Sequence, residues 1–425
     1  MRIRIDQGAR VLSLTETAAE LLVADRAFAP GLPGFVGLAV DLLLAEPGLP
    51  AAPAGSQRER TPLRHGFLSA RSPRVVVVSG PPSPGIDVCA ERMAEDLATP
   101  PAQIPGPQIT GPRAAGPRDA GPRDGHWDTG YRDAGPQTAG YQDAGHWAAG
   151  HQIAVLAEAA DTVDPAATAD HTFGTAATAG DTFGTATAGI RVALEAGTEH
   201  DGPFGLRRRW HLAHAIAPVL AAAFANAPLR HGRPTGWRST RQALRRELPA
   251  APAGPDPRAA WTALVMDAPV AGTGRTLRAW SRSGPGDRPT VADLTRHLAG
   301  LRPPVAARRH LELDVADRQP GDGWRVPLAV ITVLLDDPQA AAEAEAATRA
   351  LAATPRLWER AARDALTDPL LAAAARECFV AAYAALARQG VARDLRDAVA
   401  DFTERYVLRG RCPADDVLDR ATARP

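Results

Sequence analysis

The sequence contains no lysine, so all 48 of its basic residues are arginines. This absence excludes the phosphate-binding lysine of a P-loop and any enzyme that forms a Schiff base through lysine. The acidic residues also number 48, which gives a formal net charge of zero. A neutral chain offers no electrostatic argument for binding to nucleic acid or to an acidic membrane. We therefore expect neither partner.

Cysteine and aromatic residues are also scarce. The three cysteines are far apart and odd in number, which suggests neither a disulfide framework nor a zinc site. Aromatic residues make up only 5% of the chain, so the core must consist mainly of alanine, leucine and valine. The first ten residues lack the apolar core of a signal peptide, and the longest apolar stretch, 212–229, is typical of a buried helix. We expect a soluble, cytoplasmic protein.

Residues 1–98 have the pattern of part of a folded domain. A capping box formed by Ser13 and Glu16 begins a predicted helix. The apolar runs 35–44 and 74–79 predict two strands, and another helix is predicted after the second of them.

Residues 99–185 differ in composition from the segments on either side. They are rich in Gly, Pro, Ala, Asp and Arg, and they contain imperfect repeats such as GPRDAGPRDG and HTFGTAATAG. These repeats match no solenoid period. We predict a flexible insertion, in which the scattered histidines and aromatic residues have no regular spacing.

Residues 186–410 are predicted to complete the domain that begins in residues 1–98, with 411–425 as a tail. Their periodicity predicts one strand at about 309–315 and a series of helices. The glycine-containing segment AGTGRTLRAW at 271–280 predicts a turn into a further strand. The helices are predicted at about 206–226, 238–248, 257–267, 290–300, 325–335, 338–352, 356–366, 368–388 and 393–408. Strands early in the chain and helices late in it indicate an α+β fold.

Four long segments within about residues 208–369 resemble the glutamate–cysteine ligases of the ergothioneine pathway, which are carboxylate–amine ligases. The segments are RRWHLAHAIAPVLAAAFANAPL, GRPTGWRSTRQALRREL, LTRHLAGLRPPV and HLELDVADRQPGDGWRVPLAVITVLLDDP. Three shorter segments, GLAVDLLL, VVVVSGPP and TAGIRVALEAG, resemble the GxExE, VELSGPP and TASVQVxLD segments of that family. The resemblance implies a glutamine-synthetase-like catalytic domain with a mainly antiparallel sheet and a helical C-terminal part.

The resemblance implies ATP-dependent ligation of the γ-carboxylate of L-glutamate to L-cysteine. The product would be γ-glutamylcysteine for ergothioneine synthesis, formed through an acyl phosphate. Such chemistry needs Mg²⁺ held by carboxylates, and arginines that bind phosphate and substrate. The resemblance points to Arg233 and Arg241 for that role. Arg238 and Arg245 share the predicted helical face of Arg241, and we predict Arg238 as a third substrate- or phosphate-binding residue. A solvated basic face is the alternative interpretation.

The carboxylates that would bind Mg²⁺ are fewer here than the resemblance implies. Asp41 and Ala39 occupy the two glutamate positions of the GxExE strand, and Val77 replaces the glutamate of the second strand. Glu312 is retained, and Asp314 lies on the same face of its strand, at a position where the family has arginine. We therefore predict Glu312, Asp41 and Asp314 as metal ligands. Asp87 and Glu91 could substitute for the missing acids or simply form the first turn of a helix.

Two other hypotheses remain open besides an active ligase. The chain could be a catalytically silent relative that keeps the fold and binds glutamate, nucleotide or an active ligase. It could also be a helical interaction protein that has only inherited the fold. Homo-oligomerisation and pairing with an active ligase are both compatible with the sequence. Magnesium-dependent ATP binding separates an active ligase from an interaction protein, and turnover separates it from a silent relative.

Overall fold

The computed structural model describes residues 13–43, 60–72, 75–98, 161–162, 187–230, 232–248 and 254–423. The predicted insertion at 99–185 lies outside the described residues, except for 161–162. Within the described part, an antiparallel sheet is combined with many helices in the C-terminal half, which confirms the α+β fold.

The strands of the described residues are short and lie mostly in the first half of the chain. They are β1 (Phe35–Leu43), β2 (Arg60–Pro62), β3 (Phe67–Ser72), β4 (Val75–Ser79), β5 (Ser83–Pro84), β6 (Asp161–Thr162), β7 (Gly189–Leu194), β8 (Leu229–Arg230), β9 (Arg233–Pro234), β10 (Val305–Ala307) and β11 (Leu311–Asp317). The main sheet has the order β10-β11-β7-β1-β4-β3-β2, and β5 also pairs with β1. A small second sheet has the order β6-β8-β9.

The helices dominate the C-terminal half. They are α1 (Glu16–Ala27), α2 (Ile86–Leu97), α3 (Leu206–Ala223), α4 (Thr240–Leu244), α5 (Pro257–Asp267), α6 (Leu277–Ser281), α7 (Val291–Gly300), α8 (Arg325–Asp336), α9 (Pro338–Thr348), α10 (Leu357–Arg363), α11 (Pro369–Arg388), α12 (Arg393–Arg405) and α13 (Pro413–Thr422). All nine helices predicted after residue 200 are present, with bounds that differ by a few residues. The predicted helix at 238–248 is shorter than expected, because α4 passes into a 3₁₀ turn after Leu244.

Three local expectations need correction. The first helix is capped by Thr15, which accepts a hydrogen bond from the amide of Ala18 at 3.2 Å, and not by Ser13. The segment 271–280, which suggests a turn into a strand, instead leads into the short helix α6. The segment 411–425, expected to be a tail, contains α13. Cys412, just before α13, and Ala414, in its first turn, are buried, so this helix packs as part of the domain.

The two faces of the main sheet differ in chemistry, because successive side chains along a strand point to opposite faces. Alternate residues of the central strands, among them Val36, Leu38 and Val40, are buried in the hydrophobic core. This face packs against α2, α3 and α8. The opposite face carries Ala39 and Asp41, so the polar positions of interest lie on the face away from the core.

Helix α11 is, among the described residues, the single helix long and apolar enough to cross a membrane by length and composition. However, 56% of its most apolar window is buried inside the protein. It packs against α3, α8 and α9, so it serves as a core helix of the domain.

Candidate active site

The candidate site lies on the face of the main sheet opposite the hydrophobic core. Ala39 of β1 pairs directly with Arg191 of β7, and Asp41, two residues further on, pairs with Val77 of β4. Glu312 lies on β11, which is on the other side of β7. Because residues paired across neighbouring strands share a face, these side chains lie on one surface.

Asp41 is fully buried and is surrounded by donors. Nη1 of Arg71 lies 2.5 Å from Oδ2, and the amide of Gly189 donates to the same oxygen at 3.1 Å. Nη1 of Arg191 lies 3.0 Å from Oδ1 and forms an ion pair with it. Burial acts to raise the pKa of Asp41, but Arg191 and Arg71 outweigh it and hold the pKa below its ordinary value. The carboxylate is therefore ionised and paired.

Asp314 is bound by two arginines of the segment that begins with α4. Nη2 of Arg241 contacts Oδ1 of Asp314, and Nη2 of Arg245 lies 2.5 Å from Oδ2. Arg241 and Arg245 are four residues apart and therefore project from the same side. Burial acts to raise the pKa of Asp314, but Arg241 and Arg245 hold it well below its ordinary value. Burial also lowers the pKa of Arg245 to about 10.

Glu312 is paired with the arginines that precede β11. Nε of Arg308 lies 2.7 Å from its Oε1, and Nη1 of Arg302 lies 3.7 Å from the same oxygen. Burial acts to raise the pKa of Glu312, but Arg308, Arg302 and Arg191 outweigh it and lower the pKa to about 2. Burial and the neighbouring Arg308 lower the pKa of Arg302 to about 9.

These contacts form one arginine–carboxylate cluster, which sequence reasoning did not predict as a unit. Among the described residues its members are Arg71, Arg191, Arg241, Arg245, Arg302, Arg308, Asp41, Asp314, Asp317 and Glu312. Six guanidinium groups therefore face four carboxylates. Burial raises the pKa of Asp317, against the opposing effect of Arg241. The cluster carries an excess of positive charge.

The three predicted metal ligands thus lie in one cluster, but they do not fit a magnesium ion as they stand. Each of Asp41, Asp314 and Glu312 is ion-paired with arginine, whereas Mg²⁺ needs oxygens free to complete an octahedral shell. No group of three or more His, Cys, Asp or Glu side chains able to hold a metal occurs within the described ranges. Asp87 and Glu91 are exposed on α2, outside the cluster. Magnesium ligation therefore stays a prediction without geometric support.

The three predicted substrate-binding arginines lie in different surroundings. Arg241 is buried in the cluster, while Arg233 is exposed on β9. Arg238 precedes α4, and its Nε donates to Asp415 of α13 at 2.8 Å. The expectation that Arg238 shares a helical face with Arg241 is therefore wrong, because the helix begins only at Thr240. Substrate binding by these residues stays a prediction.

Gly189 at the start of β7 is required by the close approach of Arg241. A Cβ at this position would overlap the guanidinium group of Arg241, which is buried and ion-paired and so cannot move aside easily. We expect Gly189→Ala to lower the free energy of unfolding by about 1–3 kcal/mol through overpacking. Urea denaturation measures this, with Gly284→Ala, where a Cβ meets open space, as the matched control. Equal stability of the two variants would contradict the packing.

Comparison with known proteins identifies the family. Residues 158–425, more than half of the chain, match the sequence profile of glutamate-cysteine ligase family 2 (GCS2). The chain belongs to this ligase family. It is 37% identical over 264 residues to the glutamate–cysteine ligase EgtA of Mycolicibacterium smegmatis, covering 56% of this chain and 58% of that protein. It is 35% identical over 260 residues to EgtA of Mycobacterium tuberculosis, covering 56% of this chain and 57% of that protein.

A more distant relative is the chloroplastic glutamate–cysteine ligase A of Oryza sativa subsp. indica. It is 27% identical over 161 residues, covering 33% of this chain and 31% of that protein. The chain thus spans less than two thirds of the length of these curated relatives. Within the chain, the ligase-family match includes β7, α4 and β11 but begins after β1 and β4. Ala39 and Val77, where the acids are missing, therefore lie before the matched part.

Proposed function

We propose that this member of the ligase family joins the γ-carboxylate of L-glutamate to the amine of L-cysteine at the expense of ATP. The γ-phosphoryl group would move from ATP to the glutamate carboxylate, releasing ADP. The cysteine amine would then attack the acyl phosphate and expel phosphate. The product would be γ-glutamylcysteine, for ergothioneine synthesis in the cytoplasm. The observation that carries this proposal is the family match over residues 158–425.

The arginines supply a physical role in this reaction. Phosphoryl transfer and attack on an acyl phosphate both build negative charge on oxygen, and positive groups already in place stabilise such charge. Arg233 is exposed and free to approach a phosphate or carboxylate, and a guanidinium binds either one in bidentate fashion. Arg241 and Arg245 would contribute positive potential from beneath the site. No step is assigned to a magnesium ion held by Asp41, Asp314 or Glu312.

A second candidate function is favoured by one observation. The carboxylates of the cluster are neutralised by arginine, and Ala39 and Val77 cannot bind a cation at all. A silent relative that binds substrate, or that pairs with another copy or with an active ligase, would show the same features. Losing metal-based stabilisation of charge costs orders of magnitude in rate, so this candidate predicts no turnover.

Product formation distinguishes the two candidates. Purified, folded protein is incubated with MgATP, glutamate and cysteine, and γ-glutamylcysteine and ADP are measured together. An active ligase forms both in equal amounts, and omission of either amino acid stops the reaction. ADP release that continues without glutamate would indicate an ATPase. No product from folded protein would leave the silent relative.

A further inference from the structure

Arg191 has a central place in the arginine–carboxylate cluster. Its strand, β7, lies between β1, which carries Asp41, and β11, which carries Asp314 and Glu312. These three carboxylates are the same ones that the sequence predicts as metal ligands. Burial acts to lower the pKa of Arg191, but all three carboxylates, and Asp41 most strongly, raise it above its ordinary value. A positive charge already lies among the acids that would otherwise attract a metal ion.

Arg191 forms a close ion pair with Asp41. Nη1 of Arg191 lies 3.0 Å from Oδ1 of Asp41, and both side chains are almost completely buried. The other carboxylate oxygen of Asp41 contacts Arg71. Arg191 is therefore the counter-ion of Oδ1, at a place where a carboxylate oxygen would otherwise face a metal ion.

The partner of Arg191 on β1 supports the same interpretation. Arg191 pairs in register with Ala39, one of the two positions at which the family resemblance places a glutamate. A small side chain at position 39 leaves room for a long one at position 191, whose Cβ lies about 5 Å away across the strands. The loss of an acid and the gain of a base thus occur at paired positions, and together they preserve local charge balance without a metal.

We propose that the guanidinium group of Arg191 is a built-in cation, which takes the place of a divalent metal ion among Asp41, Asp314 and Glu312. The cluster on this face of the main sheet then needs no metal ion to be stable. Because guanidinium groups outnumber carboxylates in the cluster, a divalent cation would also be repelled from it. This inference concerns the site of the proposed ligase reaction, but its test uses neither ATP nor amino acids. Its failure is therefore distinguishable from failure of the proposed function.

The test measures Mn²⁺ binding to the full chain, by electron paramagnetic resonance and by the thermal midpoint with and without Mn²⁺. The wild-type protein is expected to bind no Mn²⁺ at this face and to show no shift in midpoint. Arg191→Gln removes one guanidinium group and frees Oδ1 of Asp41, while the other arginines of the cluster stay paired with the carboxylates. The excess of positive charge that repels a divalent cation is thereby reduced. We expect this variant to bind Mn²⁺ at least about tenfold more tightly than the wild type and to regain lost stability when Mn²⁺ is added.

Two matched variants separate this effect from simple damage. Arg191→Lys retains the charge and should gain no Mn²⁺ site. Arg209→Gln removes another buried arginine, which pairs with Asp336 away from the cluster, and should lose stability that Mn²⁺ does not restore. If the Arg191→Gln variant folds only when Mn²⁺ is present, that result would support the proposal as strongly as direct Mn²⁺ binding.

Three results would overturn the proposal. The first is an Arg191→Gln variant that folds without gaining Mn²⁺ affinity. The second is an Arg191→Gln variant that fails to fold even with Mn²⁺ while Arg191→Lys folds. The third is a wild-type protein that binds Mn²⁺ at a site abolished by Asp41→Asn, since such a site would mean that Arg191 leaves room for the metal.

Discussion

Replacing Asp314 with leucine is expected to lower the free energy of unfolding by about 3–5 kcal/mol. Asp314 is 1% exposed and is the shared partner of Arg241 and Arg245, which are also nearly fully buried. Its removal leaves two guanidinium groups of like charge in the interior without their shared counter-ion, and the remaining carboxylate, Asp317, lies 3.7 Å from Arg241. Denaturation by urea, followed by circular dichroism, measures the loss.

The size of the effect depends on burial, so an exposed ion pair is the matched control. Asp394 lies 3.1 Å from Arg325 but is 69% exposed, and Asp394→Asn should change stability by less than about 1 kcal/mol. Replacing Asp314, Arg241 and Arg245 together with apolar residues should cost less than Asp314→Leu alone, because the two guanidinium groups are removed together with their shared counter-ion. An Asp314→Leu variant as stable as Asp394→Asn would show that the cluster is hydrated or differently paired.

Restoring the missing acids is expected to raise the Mg²⁺-dependent ligation rate at least about 100-fold, since electrostatic stabilisation is often the largest catalytic contribution. The variant combines Ala39→Glu, Val77→Glu and Arg191→Gln. Positions 39 and 77 flank Asp41 on the same sheet face, and Glu312 lies beyond β7. A group of carboxylates without the central guanidinium would offer Mg²⁺ the oxygens that it prefers. The rate of γ-glutamylcysteine formation measures the effect.

The control for this gain keeps Arg191 in place. A glutamate at position 39 would then lie directly opposite the guanidinium and form an ion pair with it, so the double variant Ala39→Glu, Val77→Glu should gain little. An equal gain with and without Arg191→Gln would contradict the view that Arg191 is the feature that excludes metal. Unchanged rates in both variants, with folding retained, would show that the acids are not what limits the reaction.

The helices were predictable because their start signals are local. Asp256, Asp337 and Asp368 each cap a helix, and each is followed by proline at the first helical position. The first residues of these three helices therefore follow from adjacent residues alone. Helix α6 was missed because the glycines before it suggest a turn, while its one clear signal is the cap formed by Thr276.

The cluster was only partly predictable, because its charges come from distant parts of the chain. Arg241 and Arg245 share one side of a predicted helix, but Asp314, which binds both, lies about 70 residues away. In the segment TAGIRVALEAG, Arg191 stands where the TASVQVxLD segment of the family has glutamine. Pairing of Arg191 with Asp41 requires the register of β1 against β7, which no local pattern supplies. The carboxylates could be predicted from the sequence, whereas their arginine partners are known only from the pairing of the strands.

The most direct test of the proposed reaction follows oxygen from glutamate. Glutamate labelled with ¹⁸O in its γ-carboxylate is supplied with MgATP and cysteine, and the phosphate released is analysed by mass spectrometry. Ligation through an acyl phosphate transfers one labelled oxygen from each glutamate to phosphate, together with formation of γ-glutamylcysteine. We expect labelled phosphate in an amount equal to the product. Unlabelled phosphate, or no phosphate from folded protein, would contradict the proposed ligase reaction.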